Sequence, residues 1–132
     1  MKETILVVDN NAQSRVVLNR VLTYHGFNVL EAEDGAKGVN IAQEYSPSLI
    51  LMDIQMLVVN GMETGKLLRT DPRTKDIKLL GITSIDRPDD LFFDTVFDGY
   101  IDKPFNIMEL PKIIIKHLQG SERGCQLERG DF

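Results

Sequence analysis

The chain has 132 residues, of which 42% are hydrophobic and 27% are charged, so it can fold as one domain around a substantial core. Its net charge of −5 argues against general nucleic-acid binding, which needs a basic surface. No apolar run approaches the roughly 18 residues of a membrane span, and the N-terminus lacks a signal-peptide pattern. A single cysteine, Cys125, suits a reducing compartment. We therefore expect a cytoplasmic protein that contacts neither nucleic acid nor membrane.

The first part of the chain alternates short β-branched runs with amphipathic segments. Gly26 ends the first helix, because glycine tolerates a left-handed cap, and Asp34 caps the second. The first helix places four apolar residues on one face that we expect to meet the core: Val17, Leu18, Val21 and Leu22. The predicted elements in this part are strands over 5–8, 27–31 and 48–52, and helices over 12–24 and 35–45.

The alternation continues to residue 118 and predicts five β-α units. The elements predicted here are helices over 62–70, 88–97 and 106–118, and strands over 77–82 and 100–101. Near-continuous apolar strands separated by helices indicate a parallel sheet covered on both faces. Residues 119–132 are polar and rich in glycine, which predicts a frayed tail or a linker after a domain of residues 1–118.

Polar residues follow the predicted strands at the point where each strand ends. Asp9 and Asn10 follow the first strand, Asp53 the third, Thr83 the fourth, and Lys103 the fifth. Because the carboxyl ends of parallel strands meet at one edge, we expect these groups to converge. Each alone is more often a turn residue, a helix cap or a solvated side chain. Together they suit a hard cation, bound by oxygens, beside a phosphoryl group held by Lys and Thr.

The ordered set of motifs resembles the receiver domain of two-component response regulators, including the single-domain chemotaxis and cell-cycle types. The resemblance runs from about residue 4 to 118 and implies an α/β, flavodoxin-like, doubly wound fold. Its five-stranded parallel sheet would have the order 2-1-3-4-5, with five helices. The motifs that carry it are Ile5-Leu6-Val7-Val8-Asp9-Asn10, Leu49-Ile50-Leu51-Met52-Asp53-Ile54-Gln55-Met56, Gly61, Ile82-Thr83-Ser84 and Gly99-Tyr100-Ile101-Asp102-Lys103-Pro104-Phe105.

The resemblance implies phosphorelay signal transduction centred on Asp53. That carboxylate would accept a phosphoryl group from a sensor histidine kinase or a histidine phosphotransfer protein. Mg²⁺ would be held by Asp9, Asn10, Asp53 and the backbone carbonyl of Gln55. The chain would promote only its own phosphorylation and dephosphorylation, and is not expected to be an enzyme in any other sense.

The resemblance also assigns the response to phosphorylation. Thr83 and Lys103 would contact the phosphoryl oxygens, with a cis peptide bond between Lys103 and Pro104. Tyr100 would be the aromatic switch whose orientation follows Thr83. The face made by the fourth strand, the fourth helix and the fifth strand would then change its affinity for a downstream protein that the sequence does not identify.

The chain departs from the family pattern at several positions. Asn10 stands where the family usually has a second acidic residue, which predicts weaker Mg²⁺ binding. Leu57 and Asn60 replace a proline and an aspartate that are common in the loop after Asp53. Neutral sequence drift explains these two replacements at least as well as a looser loop does. The segment over 87–98 is short and rich in apolar residues, which indicates either a partner surface or deeper core packing. Those residues are Leu91, Phe92, Phe93, Val96 and Phe97.

Two rival interpretations differ in their chemistry. A degenerate receiver would act as a protein-interaction module without phosphorylation; Asn10 favours it, whereas Asp53, Thr83 and Lys103 oppose it. A dehalogenase-type phosphatase on a similar fold needs a carboxylate two residues after its nucleophile, and position 55 is Gln. Neither a P-loop nor a dinucleotide-binding glycine motif occurs.

Overall fold

A computed structural model describes residues 3–53, 61–83, 96–102 and 106–119. The strands are β1 (Thr4–Val8), β2 (Asn28–Ala32), β3 (Leu49–Asp53), β4 (Lys78–Thr83) and β5 (Gly99–Asp102). The helices are α1 (Ala12–Tyr24), α2 (Gly35–Tyr45), α3 (Gly61–Thr70) and α4 (Leu110–Gln119), with a 3-10 turn at Ile107–Glu109. Most of the helix predicted over 88–97, and the tail from 120, lie outside the described residues.

The five strands form one parallel sheet in the order β2-β1-β3-β4-β5, which confirms the predicted topology. β1, β3 and β4 are each followed in the chain by a strand that pairs with them, whereas β3, which follows β2, pairs with β1 instead. The order reverses between β1 and β3, since β2 lies on one side of β1 and all later strands lie on the other. Ligands of such sheets bind beyond the carboxyl ends of the strands at this reversal.

The core consists of two apolar layers, one on each face of the sheet. Alternating residues of β1 divide between them: Leu6 and Val8 belong to one layer, Ile5 and Val7 to the other. The first layer is completed by α2, α3 and residues 96–97, and the second by α1 and α4. Both faces of the strands are therefore buried, which explains their near-continuous apolar sequences.

The helix ends largely follow the predicted capping chemistry. Asp34 accepts a hydrogen bond from the Lys37 N–H at 2.8 Å, and Gly26 has the left-handed φ of 97°. Val17 was expected in the core, but this is wrong: it is 47% exposed, because the stripe of α1 that meets the sheet runs through Leu18 and Leu22. Among the described helices, none is long and apolar enough to cross a membrane.

A nearly buried arginine on α3 joins that helix to the beginnings of β4 and β5. The Arg69 guanidinium pairs with Asp98 at 2.7 Å and donates to the carbonyls of Val96 at 2.7 Å and Ile77 at 2.8 Å. The Asp98 carboxylate also accepts the N–H of Leu79 at 2.8 Å. Arg69 therefore holds the residues that immediately precede β4 and β5.

Candidate functional site

The strand register brings three of the predicted site positions to one edge of the sheet. The pairing of β1 with β3 runs up to Val8 and Met52. The next residues in the chain are Asp9, just after β1, and Asp53, the last residue of β3. Asp53 is paired in turn with the residue of β4 that precedes Thr83. The order across the edge is thus Asp9, Asp53, Thr83. Strand-end reasoning predicted that these positions share an edge, and the resemblance to receivers predicted the strand order.

The two carboxylates at this edge are buried. Asp9 is 4% exposed and Asp53 is 7% exposed, whereas Asn10 is exposed. Placing two like charges on neighbouring strands away from water is unfavourable unless a cation or hydrogen-bond donors offset them. Hard carboxylate and amide oxygens are also the donors that Mg²⁺ prefers. The residues present therefore fit a magnesium ion.

The predicted magnesium ligands include only two acidic side chains, with an amide and a backbone carbonyl as the other donors. Within the described ranges, no group of three or more His, Cys, Asp or Glu side chains could hold a metal ion. The predicted set differs from such a group because Asn10 stands at the second position after β1.

Hydrogen bonds to neighbouring described residues hold both the backbone and the side chain of Asp9. Its N–H donates to the carbonyl of Ala32 at 3.1 Å, and its carboxylate Oδ1 accepts the N–H of Asn11 at 2.8 Å. Its carbonyl accepts Nη1 of Arg15 at 2.6 Å. Sequence reasoning missed Arg15, which gave only a weak signal as a lone cation in the first turns of α1.

Tyr100, the predicted switch aromatic, is packed inside the protein. Its residue is 3% exposed, and its ring lies 5.7 Å from that of Phe97 with an interplanar angle of 43°. Val96 and Phe97 are also buried, at 3% and 4% exposure, within the layer covered by α2 and α3. For these two residues, core packing is therefore the correct alternative; Leu91, Phe92 and Phe93 lie outside the described residues.

Other predicted site residues are placed only in part. Asp102 ends β5 and is paired with Thr83, and Lys103 is the next residue in the sequence. The described positions include the backbone of Thr83 but not its side chain. The predicted residues that lie outside the described ranges are Gln55, Leu57, Asn60, Lys103 and Pro104.

Residues 5–115 match the response regulator receiver domain. The chain belongs to this family. It is therefore a receiver of two-component phosphorelay signalling, and the match covers the three strand ends described above as well as Tyr100. The predicted family and fold are both confirmed.

Relatives of this receiver occur both within longer proteins and as single domains. It is 33% identical over 108 residues to the DNA-binding dual master transcriptional regulator RpaA of Synechocystis sp., covering 80% of this chain and 45% of RpaA. It is 33% identical over 118 residues to Protein PilH of Pseudomonas aeruginosa, covering 88% of this chain and 98% of PilH. The chain thus spans less than half of the first relative and almost all of the second.

A solved receiver structure shows the same fold. The receiver domain of the sensor histidine kinase PA1611 from Pseudomonas aeruginosa, which has a magnesium ion coordinated in its active-site cleft, superposes with a TM-score of 0.80. The two chains are 23% identical, and the alignment covers 91% of this chain and 100% of that one. The likeness shows that the two chains share one fold.

Proposed function

We propose that this receiver accepts a phosphoryl group on the carboxylate of Asp53. The observation that carries the proposal is the burial of Asp53 at the end of the central strand β3, between the positions of Asp9 and Thr83. The donor would be the phosphohistidine of a sensor histidine kinase or a phosphotransfer protein. A carboxylate oxygen bonds to phosphorus as the P–N bond breaks, and the electron pair leaves with the donor imidazole.

The residues that would hold Mg²⁺ are Asp9, Asn10, Asp53 and the backbone carbonyl of Gln55. When bound, the cation supplies positive charge that offsets the repulsion between the carboxylate and the incoming phosphoryl oxygens. The magnesium in the cleft of the PA1611 receiver supports this assignment. The carbonyl of Asp9 points to Arg15 and its Oδ1 to the N–H of Asn11, so the chain itself orients this carboxylate.

The remaining predicted groups would bind the product and transmit its presence. Thr83 would donate its hydroxyl to a phosphoryl oxygen, and Lys103 would neutralise another as a point charge. Phosphorylation adds about −1.5 to −2 charges and new acceptors, which would draw Thr83 towards the site. The inward position of Tyr100 against Phe97 would then be favoured, and the surface around β4 and β5 would change its affinity for a downstream protein.

The proposed reaction takes place in the cytoplasm, between this receiver and another protein. The net charge of −5 gives no support to a direct nucleic-acid contact by this receiver. We expect catalysis only of its own phosphorylation and dephosphorylation. RpaA is more than twice the aligned length, so an output domain outside this chain is one way in which the signal would be used.

Intact-mass spectrometry after incubation with acetyl phosphate and Mg²⁺ tests this function. Wild type should gain the mass of one phosphoryl group, and Asp53→Asn should gain none. Asp76→Asn is the matched control, because Asp76 is an exposed carboxylate far along the chain from the predicted ligands. A gain in Asp53→Asn equal to that of wild type would contradict the assignment.

Asn10 favours a second candidate, a receiver that binds its partner without phosphorylation. It is an exposed neutral amide at a position where a carboxylate would add charge to hold the cation. This candidate predicts no mass gain in wild type, under conditions in which a standard receiver is labelled, and partner binding that Asp53→Asn leaves unchanged. The same assay therefore separates the two functions.

A further inference from the structure

The Arg15 side chain lies between α1, β2 and the end of β1. Its Nη1 donates to the carbonyl of Asp9 at 2.6 Å, while its Nε pairs with Oε1 of Glu31 at 3.2 Å. The other oxygen of Glu31 accepts Nδ2 of Asn19 at 2.6 Å. The bond to the Asp9 carbonyl is partly buried, whereas the two bonds of Glu31, whose side chain is 34% exposed, are open to water. The guanidinium is thus aligned by Glu31 and directed at one backbone oxygen.

That oxygen belongs to the peptide that joins Asp9 to Asn10, two of the proposed magnesium ligands. The preceding peptide is held as well, because the N–H of Asp9 donates to Ala32 at 3.1 Å. The backbone therefore leaves β1 with the peptide on each side of Asp9 fixed by a hydrogen bond. A hydrogen bond from a cationic donor is stronger than a neutral one, which makes the Arg15 bond the firmer of the two.

We propose that Arg15 is a positioning residue that presents Asp9 and Asn10 to Mg²⁺; the inference rests on the proposed magnesium site. A neutral amide is a weaker ligand than a carboxylate, so Asn10 depends more on being held in place than an aspartate would. Residues that orient metal ligands without touching the metal typically change affinity by about 10- to 100-fold when replaced.

The direction in which Mg²⁺ affinity changes when Arg15 is replaced distinguishes a positioning role from an effect of its charge alone. Arg15 is a cation close to a cation site, so through its charge alone it would weaken Mg²⁺ binding, and its removal would strengthen it. A role only in the stability of α1 would leave the affinity of the folded protein unchanged. Positioning alone predicts that the neutral variant binds Mg²⁺ more weakly.

Calorimetric titration of Mg²⁺ into the whole chain at neutral pH measures this directly. Arg15→Gln should raise the dissociation constant by about tenfold. Arg20→Gln, which removes the same charge from an exposed position on α1, should leave it within about twofold of wild type, as expected for a screened surface charge. Asp9→Asn defines the background heat of binding elsewhere. Unchanged or tighter binding by Arg15→Gln would overturn the inference.

Two further variants keep the test decisive. Arg15→Met retains the unbranched stem and helix propensity, and should weaken Mg²⁺ binding as Arg15→Gln does, even if the Gln variant folds poorly. In an Asn10→Asp background, Arg15→Gln should raise the Mg²⁺ dissociation constant by a smaller factor, because a carboxylate ligand needs less orientation. An equal factor in both backgrounds would contradict the role given to Asn10. If wild type itself binds no Mg²⁺, the proposed metal site fails and the inference fails with it.

Discussion

At the scale of single residues, the site is governed by how few negative charges it holds. Asp9 and Asp53 are buried carboxylates, and the third predicted side-chain ligand, Asn10, is neutral and exposed. Fewer carboxylates reduce the repulsion among the ligands, but they also reduce their attraction for Mg²⁺. The attraction dominates, because a divalent cation interacts with each carboxylate through twice the charge of a neighbouring carboxylate.

Asn10→Asp should therefore strengthen Mg²⁺ binding. A unit charge pair at about 4 Å is worth about 4 kcal/mol at an effective dielectric of about 20, and new repulsion from Asp9 and Asp53 offsets much of it. We expect a net gain of about tenfold in affinity, or about 1.4 kcal/mol. Calorimetric titration of both proteins provides the measurement. Equal affinities would show that position 10 does not take part in binding the cation.

The placement of polar residues at strand ends could be predicted from the sequence, whereas the hydrogen bonds of long side chains to distant backbone carbonyls could not. The positions of Asp9, Asp53 and Thr83 follow from the parallel sheet alone, because topology decides which chain ends share an edge. Arg15 and Arg69 bond to carbonyls that only the folded chain brings within reach. A lone arginine in a helix is usually a solvated side chain, so the sequence offered no reason to single out either.

At the scale of elements, a nearly buried ion pair between Arg69 and Asp98 anchors α3 to the sheet. The side chains of Arg69 and Asp98 are 11% and 4% exposed. Removing Arg69 leaves the Asp98 carboxylate without its ion pair and the carbonyls of Val96 and Ile77 without this donor. Exposed pairs behave differently, because water replaces the lost partner. The contribution of α3 to stability should therefore depend on Arg69 much more than on arginines at the surface.

Arg69→Met should lower the free energy of unfolding by about 3 kcal/mol, measured by urea denaturation. Arg73→Met is the comparison variant: Arg73 is 62% exposed in its pair with Asp71, so water replaces part of the lost partner and the stability loss should be clearly smaller. The side-chain hydrogen bond from Arg73 is the main reason that the pKa of Asp71 is lowered from 3.8 to about 2. A rise in that pKa towards 3.8 would verify that the control broke its pair. Equal stability losses in the two variants would refute the anchoring role.

The packing of α3 against residue 96 makes a second prediction at this scale. A Cβ added at Gly65 would collide with Cγ1 of Val96. Gly65→Ala should therefore destabilise the protein by about 1–3 kcal/mol, despite the better helix propensity of alanine. In a Val96→Ala background the same change should be neutral or stabilising, because the colliding methyl is gone. Additive losses in this double-mutant cycle would contradict the close contact.

The boundaries of the described elements were predicted to within a residue or two, and the exceptions have physical causes. The last helix was expected as one helix over 106–118, but it begins with the 3-10 turn Ile107–Glu109 before α4. Asn106 caps this turn by accepting the N–H of Met108 at 2.9 Å. Apolar spacing does not distinguish a tight turn from a regular one over three residues. The misplaced Val17 likewise reflects a helix that buries a narrower stripe than its apolar content suggested.

At the scale of the whole molecule, the α/β class followed from the pattern of the sequence, but the strand order did not. Five apolar strands separated by helices predict a parallel sheet with both faces covered, as the two core layers show. Periodicity allows several orders, and the order β2-β1-β3-β4-β5 was predicted only through the resemblance to receivers. The division into residues 1–118 and a tail stays a prediction. The match to the receiver family ends at residue 115, within α4.

The central claim is that this fold delivers a phosphoryl group to one carboxylate, and locating that group tests it most directly. The chain is treated with acetyl phosphate and Mg²⁺, then reduced with borohydride, which converts an aspartyl phosphate to homoserine, and digested for peptide mapping. Our account predicts homoserine at position 53, absent from Asp53→Asn and from samples without a phosphodonor. Homoserine at Asp9 instead, or at no position in wild type, would contradict it.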